Sequence, residues 1–139
     1  MTDLDAAVLS WGWLLCRLGW QTEDSWPAGR SWRLGDTYLV VESGRDVLPV
    51  RHERTRPGLN HLAFHAGPRE QLDAVVSEST TYGWTLLFTD RHPYAGGPAH
   101  YAAYLEDTSG FEVELVSDVD TGDSNDTGDS SGQAEPGSL

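Results

Sequence analysis

The feature that most narrows the fold is a faint internal repeat. "DLDAAVLSWGWLLCRLGW" places Leu4, Val8, Trp11, Leu15 and Leu18 on one helical stripe and stops at Gly19, ahead of Trp20. "GPREQLDAVVSESTTYGW" repeats the plan, with Pro68 near its first turn, a stripe of Leu72, Val75 and Val76, and Gly83 ahead of Trp84. Extended segments follow each Gly-Trp: "QTEDSW", "RSWRLG" and "TYLVVES" in the first half, "TLLFTD", "HYAAYLED" and "FEVELVS" in the second. The last two are joined by "DTSG", with Asp at the first turn position and Gly at the fourth. The second helix is also preceded by an extended stretch, "GLNHLAFHA", whereas the first begins almost at Met1. The pattern predicts an α+β chain of two modules. Residues 1–56 read αβββ, a βαβββ unit without its opening strand, and 57–117 read βαβββ. Residues 118–139 form an acidic, Ser- and Gly-rich tail expected to be disordered.

Charge limits the partners. The formal net charge is −13, and the six acids of 118–139 leave −7 for the rest of the chain. Such an excess repels phosphate backbones and acidic lipid headgroups, so neither nucleic acid nor a membrane surface is an expected partner. No run of 18 apolar residues spans a bilayer, and "MTDLDAAVLSWGW" opens with two Asp and no base, unlike a secretory signal. A single Cys excludes an internal disulfide and a Cys-based zinc cluster. These features point to a soluble cytoplasmic protein. All nine basic residues are Arg, which we read as a genomic composition bias.

Strand parity gathers the chemistry. In "GLNHLAFHAG", Leu62 and Phe64 point one way and His61, Ala63 and His65 the other. On the closing strand, Phe111, Val113 and Leu115 face the helices, which leaves Glu112, Glu114 and Val116 on the opposite face. "HYAAYLED" shows His100, Ala102, Tyr104 and Glu106 on one face, and "TYLVVES" shows Tyr38, Val40 and Glu42. A sheet curved so that these faces line a cup would hold His, Glu and Tyr, groups that bind divalent metals and move protons. His65 lies four residues from His61, about 13 Å along a strand, too far to share one ion with it. His65 is therefore placed at the rim, either structural or touching substrate. "RHPYAGGPAH" should hang over the cup mouth, where Arg91, His92 and Tyr94 would touch a ligand. His52, in "RHERTR", reads as a solvated linker residue.

Residues 4–117 resemble the vicinal oxygen chelate superfamily, which includes glyoxalase I, extradiol dioxygenases, fosfomycin-resistance enzymes and bleomycin-resistance proteins. "GLNHLAFHA", "HYAAYLEDTSGFEVELV" and "LGDTYLVVE" carry the resemblance. It implies two βαβββ modules forming a curved cup. It further implies a divalent metal (Mn, Ni, Zn or Fe) on His61, Glu114 and Glu42, with Glu114 and Tyr104 in catalytic positions. The usual first-strand His of module one has no counterpart, and His100 stands where it would substitute. Three functions follow from the resemblance. One is a metal-dependent lyase or dioxygenase that takes a small substrate as an oxygen chelate. A second is a metal-free, antibiotic-sequestering binder of a cationic, partly planar ligand. The third is a subunit that needs a partner chain to complete its cup. Exposed strand edges and apolar helix surface also predict a homodimer.

Overall fold

The computed structural model describes residues 1–118, so the tail lies outside the described residues apart from Asp118. Helix α1 spans Leu4–Arg17 and is capped by Asp3, whose Oδ1 accepts from the Ala6 N–H at 3.0 Å. Strands β1 (Gln21–Trp26), β2 (Gly29–Leu34) and β3 (Thr37–Glu42) form an antiparallel sheet in that order. The second module contains β4 (His61–His65), α2 (Arg69–Ser79), β5 (Thr85–Leu86), β6 (Ala102–Glu106) and β7 (Glu112–Val116), with strand order β4-β7-β6-β5. Gly19 and Gly83 follow the two helical segments at φ +87 and +85, a left-handed conformation that ends a helix and suits glycine. The two-sheet α+β architecture expected from the repeat is present.

Sheet register positions the site. β4 runs parallel to β7, pairing His61 with Glu112 and Ala63 with Glu114. β6 runs antiparallel to β7 and pairs Tyr104 with Glu114 and Glu106 with Glu112. Leu105, Val113 and Leu115 are fully buried against the helices. Because side chains alternate along a strand, Tyr104, Glu106, Glu112 and Glu114 all fall on the opposite, helix-free face.

The core joins both modules. Trp11, Leu14, Leu15, Trp32, Leu72, Val75 and Trp84 are buried in one cluster with the strand residues, each contributing on the order of 1.5–3 kcal/mol by leaving water. The buried stripe of α1 is broader than the sequence suggests: Ala7, Ser10 and Leu14 are buried while Val8 is half-buried. The cause is packing on two sides, since α1 touches both the first sheet and α2. The buried indoles also find polar partners. Trp11 Nε1 donates to Asp107 Oδ2 at 2.9 Å, and Trp84 Nε1 donates to the Ser10 carbonyl at 3.1 Å. These bonds tie α1 to the second module's hairpin turn and to the segment after α2. His52 is not a solvated linker residue. Its ring stacks on Phe111 at 4.2 Å and its backbone N–H donates to the Ser109 carbonyl, which straps the linker across the β6–β7 turn.

Candidate functional site

Glu114, on the central strand of the second sheet, is the hub. His61 Nε2 lies 3.1 Å from its Oε2, while His100 Nε2 (2.5 Å) and the Tyr104 hydroxyl (2.9 Å) both reach Oε1. His61 arrives from β4, Tyr104 from β6, and His100 from the end of the 88–100 loop. Both ring nitrogens of His61 face oxygen, because Nδ1 lies 2.7 Å from Asn60 Oδ1. Asn60 is in turn held by donating its amide to the Arg54 carbonyl at 3.1 Å. Gly96 presses on the same cluster: a Cβ there would stand 2.6 Å from His100 Cδ2 and 2.7 Å from the Tyr104 hydroxyl. Only a residue without a side chain lets the loop backbone approach so closely.

The electrostatics separate the groups. Burial alone would raise the Glu114 carboxyl, but hydrogen bonds from His100, Tyr104 and His61, with the His100 charge, outweigh it and hold the group below the usual carboxylate range. Tyr104 is pushed up to about 12, first by burial and then by its bond to Glu114, so the phenol stays protonated and a donor. Glu112, also buried, moves the other way from Glu114: burial raises it, and Arg54 only partly offsets the rise. Two carboxylates one strand step apart thus have opposite tendencies, a mark of functional sites.

The other expected site residues are not gathered here. Glu42 ends β3 in the other sheet, with its side chain exposed and its carbonyl accepting from the Met1 amino group. His65 is exposed and pairs with Asp118 at 2.9 Å. Tyr94 meets the Tyr101 ring edge-on at 5.6 Å. Arg91 lies over the Phe88 ring at 5.0 Å, and Phe88 meets Tyr104 edge-on at 5.5 Å, so Arg91 stands one ring from the cluster. His92, next to Arg91, is half-buried and makes no hydrogen bond to the cluster.

No family model matches the chain. Over 117 residues it is 42% identical to the uncharacterized protein YqjT of Bacillus subtilis (strain 168), covering 84% of this chain and 91% of that relative. A candidate glyoxalase from Bacillus halodurans, known from its crystal structure, is 41% identical and superposes with a TM-score of 0.79 over 85% of this chain and 90% of its own. The chain belongs to the glyoxalase/bleomycin-resistance/dioxygenase family. A glyoxalase/bleomycin resistance protein from Albidiferax ferrireducens T118 shares the fold at 21% identity, with a TM-score of 0.68 over 86% of this chain and 92% of its own. As a member of the glyoxalase family, the chain carries on its second sheet the face on which the resemblance places a metal.

The residues present fit that metal in type but not in placement. Two imidazoles and a carboxylate are donors that divalent ions take. Here, however, His61 and His100 aim Nε2 at separate oxygens of Glu114, and the expected ligand Glu42 is exposed at the end of β3 with no hydrogen bond to the cluster. Among the described residues, no group of three or more His, Cys, Asp or Glu is arranged to hold a metal ion. A cavity also lies elsewhere. Its volume is about 380 Å³ and Met1, Val47, Leu48, Arg51, His52 and Phe111 help to line it. It holds none of the Glu114 cluster, where two imidazoles and a phenol converge on one carboxylate. Sequence reading gave Glu112 no role and overlooked Arg54 and Phe88. Parity put Glu112 on this face and the Gly96-Gly97 pair stood out in the loop, but nothing local marked Arg54 or Phe88.

Proposed function

We propose that this glyoxalase-family chain binds a small oxygen-bearing molecule on the helix-free face of its second sheet and moves a proton on it. Glu114 is the proton acceptor and Tyr104 the neutral donor to a substrate oxygen. The reading rests on the three donors converging on one buried carboxylate, at 3.1, 2.5 and 2.9 Å. A substrate carbonyl that draws Tyr104 and His100 away from Glu114 removes the bonds that hold the carboxyl low. Burial then dominates, and Glu114 becomes a stronger base at the moment it is needed. The proton leaves the carbon next to the carbonyl for Glu114, and the developing enolate oxygen accepts from Tyr104. In D2O the wild type should exchange the C–H hydrogens of hydroxyacetone, as read by proton NMR, and Glu114→Gln should abolish the exchange. Equal exchange by both proteins would overturn the reading.

A second reading keeps a divalent ion (Mn, Ni, Zn or Fe) on His61, His100 and Glu114, and the donor types favour it. Stoichiometric metal uptake by chelator-stripped protein, lost in His61→Ala and Glu114→Ala, would turn the assignment to it. We further infer a homodimer. Tyr38 and Val40, 61% and 43% exposed on the first sheet's helix-free face, give an aromatic and aliphatic surface suited to a second copy.

A further inference from the structure

Beyond Glu114, the helix-free face carries two more carboxylates, the register partners Glu106 and Glu112. Each is met by an arginine of the linker. Arg51 reaches Glu106 at 2.5 Å, and Arg54 Nε stands 2.9 Å from Glu112 Oε2. Glu112 is only 3% exposed, and that oxygen has no well-aligned hydrogen bond, so the Arg54 contact is an ion pair without ideal hydrogen-bond geometry. The Arg54 guanidinium also lies 5.6 Å from the centre of the Phe88 ring, and that of Arg91 lies 5.0 Å from the same ring. Phe88 is the one non-glycine residue with positive φ among the described residues, at +53. A bulky side chain is disfavoured there, and such strain concentrates at ligand-handling positions. The strain places an aromatic ring beside Tyr104 with two guanidinium groups around it.

The charges on this face do not balance evenly. Glu106 and Glu112 are occupied by Arg51 and Arg54, whereas among the described residues the carboxylate paired with Arg91 is Asp90 at 3.9 Å, beyond hydrogen-bond range. Arg91 is 56% exposed, which leaves its N–H fork open. In a chain of net charge −13, an open guanidinium fixed one ring from the hub provides local attraction for an anion. A guanidinium offers two parallel N–H donors to a carboxylate or phosphonate.

We propose that Arg91, held on the Phe88 ring beside Tyr104, forms an anion-recognition subsite, so that the molecule bound over Glu114 carries a carboxylate or phosphonate group. This rests on the small-molecule reading above and narrows its substrate class to small organic acids. The test compares L-lactate with lactamide, the same shape without the charge, and with methylphosphonate, by amide and side-chain NMR titration of the full chain. Both anions should shift the Arg91 side chain and Tyr104 and bind more tightly than lactamide. Arg91→Gln should weaken both anions by about tenfold, the scale of one charge-assisted hydrogen bond, and leave lactamide unchanged. Arg91→Lys should recover part of the loss, because charge remains without the fork. The paired change Arg54→Gln with Glu112→Gln removes a cation and an anion together, so it should leave anion binding near wild type, and a loss as large as that of Arg91→Gln would overturn the assignment to Arg91.

Lactate and lactamide bound equally at Tyr104 and His100, with Arg91→Gln indistinguishable from wild type, would overturn the subsite and leave the small-molecule reading standing. Shifts confined to residues away from Tyr104 and His100, or no shift with any probe, would overturn both. Arg91 is exposed, so Arg91→Gln is expected to fold, and its amide spectrum checks this directly.

Discussion

Tyr104→Phe isolates one donor of the hub. The change keeps the ring that meets Phe88 and His61 edge-on and removes only the hydroxyl 2.9 Å from Glu114 Oε1. A hydrogen bond to an ionised acceptor contributes about 1.5–3 kcal/mol. Glu114 keeps its two histidine partners, so a loss near the lower end, about 1.5 kcal/mol, is expected at neutral pH. The pH dependence carries the diagnosis. Glu114 is held below its ordinary value of 4.5 in the folded protein, so its contribution is complete above that value and lost as pH falls through the folded pKa. Removing Tyr104 relaxes part of that depression. The cost of the substitution should therefore be largest near neutral pH and shrink toward zero in acid. Tyr104 itself is raised from 10.0 to about 12. Its contribution is full below 10 and declines as pH climbs through about 12, so the variant should also lose the wild type's decline in this alkaline range. Urea unfolding followed by tryptophan fluorescence, at several pH values, gives these differences directly. A cost that is the same at every pH, or below about 0.5 kcal/mol at neutral pH, would refute the hub assignment.

Two further outcomes are expected. Gly96→Ala should push His100 and Tyr104 off Glu114, since its Cβ would fall 2.6–2.7 Å from both. It should lower stability by about 1–3 kcal/mol and reduce lactate binding, read by NMR titration, and unchanged binding would mean that the loop does not set the cluster. In sedimentation, the chain should run as a dimer at tens of micromolar, a range set by weak association of about −6 to −7 kcal/mol. Tyr38→Asp with Val40→Asp should make it monomeric, and a wild-type monomer there would remove the proposed interface.

Much of this protein is readable from local periodicity. Two helical stripes ending in Gly-Trp, each followed by extended segments, specify two similar modules, because period 3.6 and period 2 are imposed by the backbone itself. The same period places Glu114 opposite Val113 and Leu115, and Tyr104 opposite Leu105. Once those apolar residues are buried, the polar ones share a face. That logic does not extend across chain segments. Glu42 sits in the first sheet with the expected parity, but parity carries no information about which residues of two sheets meet. Alternation also put His100 on the face of Tyr104, although it stands just ahead of β6, whereas Phe88 and Gly96 belong to a loop with no period, whose course is set by what it packs on. Arg54 belongs to a linker that looks solvated in sequence, yet it is drawn onto Glu112 because that strand position is buried in the folded sheet. The faces were thus decided by alternation along the chain, while tertiary packing decided which residues meet across them, because those contacts join residues between 10 and 58 positions apart.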